Sequence, residues 1–358
     1  MTIIIFVIVL AILIFVHELG HFLTARWCEI RVDEFALGFG TRLWQMKKGE
    51  TTYALNLIPF GGYVKIFGEN PDDESINGPD KSRSFVNKPK WQQIAVLVAG
   101  VLFNFIFAWI LISSAFAFGV PASIESYPEY ANRMTDPRIV VTYIEPNSPA
   151  EKAGLKAGDE IKNTSSLQDL QKSISQSRDK GIEINYKRDE LESKTTVIAK
   201  EGIVEGKYAI GIGMDKVSTL RLPIHLAFVE GTRFTFHMIK VVTVGIYDLI
   251  IGIFNGASKL SSVTGPIGIA GMVGDASSLG FTYLIMFTAL ISINLGVLNL
   301  VPFPALDGGR ILFVIIEAII RRPIKPAIAN TFNAIGFGLL ILLMIVVTYK
   351  DIVKLIVK

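Results

Sequence analysis

A run of apolar residues from Ile3 to Thr24 contains the sequence His17-Glu18-Leu19-Gly20-His21. About 20 apolar residues are enough to cross a bilayer, so this run predicts a transmembrane helix over 3–24. Ionisable side chains are costly to insert into such a helix, and they normally face a partner inside the bundle. Whatever fold this chain adopts must therefore provide polar or metal partners for His17, Glu18 and His21 within the membrane.

The spacing of these three side chains indicates a metal site. His17 and His21 are four residues apart, so on a helix their imidazoles emerge from one face, one turn apart. That arrangement suits two nitrogen ligands of one zinc ion, and Glu18 is placed to take a proton from the attacking water. The alternative is a polar cluster that ties helices together. Since two of only four histidines lie in this motif, we expect metal binding.

Composition supports a membrane protein. The 358 residues are 51% hydrophobic and 19% charged, with a mean hydropathy of +0.46, which is too apolar for an ordinary soluble protein. A net charge of +3 gives no indication of a nucleic-acid partner. The single cysteine, Cys28, excludes an intrachain disulfide, and on a continuing helix it would lie about 10 Å beyond His21, too far to share its metal.

Four spans are predicted in all, over 3–24, 91–120, 281–300 and 327–348. The segment from Arg26 to Lys90 carries ten Lys or Arg residues, which places it on the cytoplasmic side. The histidines near the end of the first span would then lie near the cytoplasmic face.

The region 216–260 is predicted to lie along the membrane interface. Its residues 238–254 are apolar, but charged and polar side chains recur at a spacing of three and four, as on the polar face of an amphipathic helix: Glu230, Arg233, His237, Lys240 and Asp248. His225 and His237 have no partner at ligand spacing, so we expect them to be solvated or interfacial.

A β-hairpin is predicted in the cytoplasmic region 31–68. Residues 41–46 and 51–57 have strand character, with a turn at 47–50. The following segment, 58–63, is apolar but interrupted by Pro59 and two glycines. Such a membrane-associated hairpin could offer an edge to an extended peptide or pack beneath the helices, and the sequence leaves both open.

A polar domain is predicted over 121–215. Its Ser148-Pro149-Ala150 and Ala153-Gly154-Leu155, followed by Gly158-Asp159-Glu160-Ile161, resemble the signature of bacterial PDZ domains. A helix over 167–174 and strands over 182–187 and 195–199 fit this α+β fold. Such domains bind peptide ends by strand addition, and a purely steric role at the entrance to the membrane domain is the alternative.

A zinc peptidase site needs a third protein ligand. The acidic candidates in or beside apolar segments are Asp248, Asp275, Asp307 and Glu317. Asp307 follows the 281–300 span, where two prolines and two glycines break the helix. If the first and third spans run in the same direction, Asp307 emerges beside the histidines, whereas Asp275 falls on the opposite side. Asp307 is therefore the predicted ligand and Glu317 the runner-up.

Asn104 is the one strongly polar residue inside the second span. A buried amide in lipid normally faces the bundle. It would either tie helices together or hydrogen-bond the backbone of a substrate, and the sequence leaves the two roles even.

These motifs together resemble the site-2 protease family of intramembrane zinc metalloproteases, in its bacterial branch of regulator-of-sigma-E type proteases. The resemblance rests on His17-Glu18-Leu19-Gly20-His21, Ala99-Gly100 with Asn104, the PDZ-like insert, Gly265-Pro266-Ile267-Gly268, and Asn299 through Leu306-Asp307-Gly308-Gly309. It covers nearly the whole chain. Val101 departs from the proline common at that place, and there is room for only one PDZ-like domain.

The resemblance implies a multi-pass protein of the bacterial inner membrane, with the PDZ-like domain outside the cytoplasm and Zn²⁺ as cofactor. It implies cleavage within the transmembrane segment of single-span proteins already trimmed outside, such as anti-sigma factors, or of remnant signal peptides. It also implies that Asn299 contacts either the substrate backbone or the transition state. Two rivals are a PDZ-based membrane scaffold that binds peptides without proteolysis, and a metal-handling membrane protein.

Overall fold

The computed structural model describes residues 1–70, 72–123, 125–162, 164, 166–178, 180–188, 191–204, 207–256 and 264–356. The chain divides into two compact units. The first consists of Met1–Ile112, Gly231–Ser277 and Leu284–Lys358, and the second of Ser113–Glu230 with Ser278–Tyr283. The predicted end of the 216–260 region lies outside the described residues.

The α-helices of the described ranges are α1 (Thr2–Trp27), α2 (Asp73–Asn77), α3 (Lys90–Phe118), α4 (Pro149–Lys152), α5 (Leu167–Ser177), α6 (Ile224–Phe254), α7 (Pro266–Ser278), α8 (Phe281–Leu300), α9 (Asp307–Ile320) and α10 (Pro326–Ile356). Short 3₁₀ helices occupy Lys81–Arg83, Phe85–Asn87 and Pro128–Arg133. The strands are β1 (Val32–Lys48), β2 (Thr51–Ile66), β3 (Val120–Ser123), β4 (Met134–Ile144), β5 (Glu160–Ile161), β6 (Ile182–Arg188), β7 (Leu191–Val197), β8 (Lys200–Val204), β9 (Lys207–Ala209) and β10 (Ile212–Leu220).

Among the described helices, five are long and apolar enough to cross a membrane: α1, α3, α6, α8 and α10. An integral membrane protein is therefore what the fold indicates. The sequence predicts only four spans, because it assigns the region of α6 to the interface. Length and composition admit α6 as a span as well, so the number of crossings stays a prediction.

The hairpin of β1 and β2 is longer than predicted, because pairing continues through the Pro- and Gly-containing segment. Gly38 and Gly40 have φ of 81° and 84°, and Gly61 has φ of 121°, a region that L side chains rarely adopt. Each strand bends there and meets its partner twice, so that Phe35 is opposite both Val64 and Tyr53. Residues 34–37 thus lie between 52–55 and 62–65, and segment 62–66 forms an edge.

The second unit is built on a six-stranded antiparallel sheet in the order β3-β10-β4-β5-β6-β7. Helix α5 buries Leu170 and Ile174, which pack in one apolar cluster with Ile139, Val141 and Ile184 from the sheet. The helix and two strands predicted for a PDZ-like fold correspond to α5, β6 and β7. That this unit is a PDZ domain stays a prediction.

Candidate metal centre

Helix α1 carries the three ionisable side chains on adjacent positions of one face. His17 and His21 are both only 8% exposed, and their rings meet edge to face with centroids 4.8 Å apart. The predicted helix and its four-residue spacing therefore bring both imidazoles to one point, where each Nε2 atom faces the same carboxylate.

Helix α3 packs closely behind these imidazoles. A Cβ on Gly20 would collide with the Ala99 carbonyl, and a Cβ on Gly100 would collide with His21 Nε2 and His17 Cε1. Only glycine fits at either position, because backbone and rings occupy the space that a side chain would need. The Val96 carbonyl accepts a hydrogen bond of 2.8 Å from His21 Nδ1, which leaves Nε2 free of a proton.

Asp307 is the first residue of α9, directly after a segment that contains Pro302 and Pro304. A Cβ on Gly308 would meet the carbonyls of residues 300 and 301, and a Cβ on Gly309 would meet that of Phe303. The two glycines therefore let the first turn of α9 lie directly on the end of α8. This close packing carries the Asp307 carboxylate to the histidines.

The three predicted ligand atoms form a small triangle. His17 Nε2 lies 3.1 Å and His21 Nε2 lies 3.5 Å from Asp307 Oδ2, and the two Nε2 atoms are 3.2 Å apart. Ligand atoms bound to tetrahedral zinc at about 2.0–2.1 Å are separated by about 3.3 Å. Within the described residues, Asp307 Oδ2 is buried without a hydrogen-bond partner. A cation bound by the three side chains would satisfy this oxygen, so the donor set fits zinc.

A cavity of about 430 Å³ opens beside the triangle. Glu18 lines it together with Tyr63, Val64 and Ile66 from the edge segment of the hairpin. The edge segment runs along the Glu18 side chain, since a Cβ on Gly62 would lie 3.5 Å from Glu18 Cγ. Both the proton-accepting side chain and an unpaired strand edge therefore border one space next to the predicted ligands.

Two charged residues of the cavity wall had no predicted role. Arg310 and Glu69 both line the cavity, and they form an ion pair. Arg310 lies three residues after Asp307 and so shares its helix face, a signal that the sequence offered. Glu69, in the turn after β2, carries no such signal, because its position depends on the length of the hairpin.

The two amides that the sequence analysis proposed as substrate contacts lie away from the lining of the cavity. Asn104 is fully buried, and its amide nitrogen is 3.0 Å from His17 Nδ1. Asn299, in the last turn of α8, is half-buried. Neither belongs to the described residues that line the cavity, and their role in substrate binding stays a prediction.

The other ligand candidates are not part of the triangle. Glu317 accepts hydrogen bonds from Lys90 Nζ at 2.5 Å and from the Ile324 N–H at 2.8 Å, which satisfies its carboxylate. Cys28 is buried in an apolar cluster. Four further candidates are exposed on the helices that carry them: Asp248, Asp275, His225 and His237.

The family model for peptidase family M50 matches residues 5–343. The chain belongs to this family. Its predicted place among the site-2 proteases, and the class of enzyme, a peptidase, are thereby confirmed.

Similar proteins cover nearly the whole chain. One from Clostridium acetobutylicum, named as a candidate zinc metalloprotease, is 34% identical over 98% of this chain and 97% of its own length. One of the same description from Clostridium perfringens is 35% identical over 95% of each chain. The regulator of sigma-W protease RasP of Bacillus subtilis is 29% identical over 99% of each.

Proposed function

We propose that this protein is an intramembrane zinc metalloprotease that hydrolyses a peptide bond within the transmembrane segment of a single-span protein already trimmed outside the membrane. One observation carries the proposal. The triangle of His17, His21 and Asp307 borders a cavity that Glu18 and a strand edge also line. Membership of peptidase family M50 and relatives named as zinc metalloproteases support the metal.

His17 and His21 would hold zinc through Nε2, and Asp307 through Oδ2. Zinc bound there polarises a water molecule and the scissile carbonyl, which lowers the barrier to hydrolysis. The buried, tightly packed setting keeps these three side chains in place without further rearrangement. The donor set of two imidazoles and one carboxylate leaves room for water in the cavity beside it.

Glu18 would act as the general base and then as the general acid. Its carboxylate takes a proton from the attacking water and delivers it to the nitrogen of the leaving amine. Glu18 lines the cavity together with Val64 of the edge segment, so its carboxylate is placed beside the proposed substrate strand. Removing the carboxylate should therefore stop proton transfer without removing a metal ligand.

The edge segment 62–66 would hold the substrate backbone. A transmembrane helix hides its carbonyls in its own hydrogen bonds, so the substrate must unwind locally before it is cut. An unwound strand can pair with an exposed strand edge, and segment 62–66 meets the cavity at Tyr63 and Val64. Substrate segments rich in Gly or Pro, which unwind at low cost, should be cut preferentially.

Membrane topology is part of the proposal. Contact of Asp307 with the histidines puts the end of α8 at the end of α1, so the two helices run in the same direction. With α3 as the return span and α7, at 13 residues, too short to cross, this favours α6 at the interface and four spans in total. The basic segment 26–90 then supports an active site near the cytoplasmic face, with the second unit outside.

The substrate class follows the family. The name of RasP, a regulator of sigma-W protease, supports anti-sigma factors as one class of substrate. Remnant signal peptides, which the family resemblance implies, are the second proposed class. The second unit, with its PDZ-like helix and strands, would bind peptide C-termini exposed by trimming. The bacterial inner membrane is the proposed location.

The test is cleavage by Glu18→Gln. We expect the purified variant to retain zinc at the wild-type ratio and to lose activity on a single-span substrate by about 10³-fold, within the range for general acid–base catalysis. The matched control is Glu69→Gln, a carboxylate of the same cavity, which should change the rate by less than about tenfold. A Glu18→Gln enzyme that cleaves at the wild-type rate would contradict the mechanism and favour a peptide-binding scaffold.

A further inference from the structure

The two imidazoles are alike at Nε2, which faces Asp307, but their Nδ1 atoms have different partners. Each Nε2 points at Asp307 Oδ2, and each Nδ1 points at α3. Behind His21 stands a backbone carbonyl, that of Val96. A carbonyl can only accept a hydrogen bond, so it fixes His21 in the tautomer whose Nε2 binds metal.

The partner of His17 Nδ1 is the side chain of Asn104. It is 0% exposed, its nitrogen is 3.0 Å from His17 Nδ1, and its oxygen has no hydrogen-bond partner among the described residues. An amide carries two donors and an acceptor at nearly equal positions. A half-turn about its last bond therefore exchanges a donor for an acceptor at His17 without moving the helix.

The two orientations match the two states of His17. Without a cation, Nε2 can carry the proton beside Asp307 Oδ2, 3.1 Å away, and Nδ1 then accepts from the Asn104 amide. To bind a cation, Nε2 must carry its lone pair, so the proton moves to Nδ1 and needs an acceptor, which the Asn104 oxygen supplies. The amide stabilises His17 in both states, whereas the Val96 carbonyl stabilises only one state of His21.

We propose that Asn104 is the positioning residue of His17 and that its amide oxygen fixes the metal-binding tautomer. This rests on the proposed role of His17 as a zinc ligand, and it gives Asn104 a task other than substrate contact. Groups that orient metal-binding imidazoles commonly contribute 10–100-fold to metal affinity. The effect should appear in zinc binding itself, before any substrate is present.

The backbone of Asn104 has a separate function that can be tested apart from its side chain. Its carbonyl accepts a hydrogen bond of 2.8 Å from Ser292 Oγ on α8, and Ser292 is fully buried as well. This contact ties α3 to α8 at the same level. Ser292→Ala removes the tie and leaves the amide at His17, so it is the matched control for a packing effect.

The experiment measures zinc affinity of the full-length protein by competition with a chelator, for wild type, Asn104→Leu, Asn104→Asp and Ser292→Ala. We expect Asn104→Leu to weaken zinc binding by about 10–100-fold, Asn104→Asp, which keeps an acceptor, to bind within about threefold of wild type or more tightly, and Ser292→Ala to be unchanged. The visible spectrum of the Co²⁺-loaded protein should change for Asn104→Leu and return with Asn104→Asp.

Equal zinc affinity in wild type and Asn104→Leu would overturn the inference, as would a loss in Ser292→Ala as large as that in Asn104→Leu. Failure of Asn104→Asp to restore binding would also overturn it. A wild-type protein that binds no zinc would instead overturn the proposed function, so the two failures are distinguishable.

Discussion

Two largely buried aspartates, Asp159 in the second unit and Asp307 in the first, are satisfied in different ways. In the second unit, Asp159 is 1% exposed and accepts hydrogen bonds from Arg188 Nε at 2.6 Å and Nη2 at 2.7 Å, and from the Lys156 N–H at 2.8 Å. In the first unit, the two imidazoles lie beside Asp307 Oδ2, which has no hydrogen-bond partner in the part of the chain that the structure describes. A buried carboxylate with its own guanidinium stabilises a fold, whereas one that lacks a cation indicates a site for one.

The largest expected effect is that of Asp307→Asn on zinc binding. The amide removes the negative charge, so zinc affinity should fall by at least about 100-fold, beyond what outer partners of a metal site contribute. The unfolding temperature of the metal-free protein should not fall, because a largely buried carboxylate oxygen without a hydrogen-bond partner is costly and the amide removes its charge. Metal analysis and thermal unfolding measure the two effects. Asp159→Asn should instead lower the unfolding temperature and leave zinc affinity unchanged. Zinc retained by Asp307→Asn would contradict the contrast between the two aspartates.

Arg188→Met should destabilise the second unit by about 3 kcal/mol. The variant leaves the Asp159 carboxylate buried without its guanidinium, and breaking a buried ion pair from one side costs about 3–5 kcal/mol; the partial exposure of Arg188 places the expected value at the low end. Faster hydrogen exchange in β4 and β5 would measure this, with zinc content unchanged. The control is Lys194→Met, whose 3.7 Å pair with Glu183 is exposed and should contribute about 0.5 kcal/mol or less.

Arg310→Gln tests an intermediate case, since Arg310 and Glu69 are paired at the cavity wall with side chains 30% and 17% exposed. We expect a loss of about 1–2 kcal/mol in the free energy of unfolding, because the cavity admits water to the remaining carboxylate. The double variant with Glu69→Gln should recover part of that loss in thermal unfolding. A double variant less stable than Arg310→Gln would show that the two side chains are not paired.

The smallest effect concerns an exposed pair. Arg83 holds the pKa of Glu50 below its ordinary value of 4.5 through a hydrogen bond, and both side chains are more than a third exposed. A lowered pKa stabilises the fold above pH 4.5, and this contribution is lost as the pH falls further. Solvent screening limits it to about 0.5 kcal/mol. Comparing unfolding temperatures of wild type and Glu50→Gln at pH 6 and pH 3.5 should show a difference only at pH 6.

The metal triangle could be predicted from the sequence because each member follows from a short-range rule. Helical spacing aligns His17 with His21, and the direction of the spans selects Asp307 from four acidic candidates. The contact between Asn104 and His17 could not be predicted, because it depends on the depth and rotation of α3 against α1. Tertiary packing determines this depth and this rotation, and the periodicity of the sequence does not contain them.

The position of the β-hairpin was predicted correctly, but its length was not. Pro59 and Gly61 interrupt the alternation that identifies a strand, so the second strand was expected to end near residue 57, whereas β2 continues to Ile66. Glycine bends let both strands fold back on each other. Since this fold-back produces the edge at the cavity, local patterns alone could not show that Tyr63 and Val64 border it.

The fit of Gly20 and Gly100 between α1 and α3 has a consequence for the study of variants. Neither residue has a functional group, yet a single added methyl at Gly100 would occupy the space of both imidazole rings. A mutational scan scored by activity would rank these glycines beside His17 and His21. Loss of activity at positions 20 and 100 would then reflect the short distance between the backbones of α1 and α3. Measuring the metal content of those variants would distinguish a displaced metal site from the loss of a catalytic group.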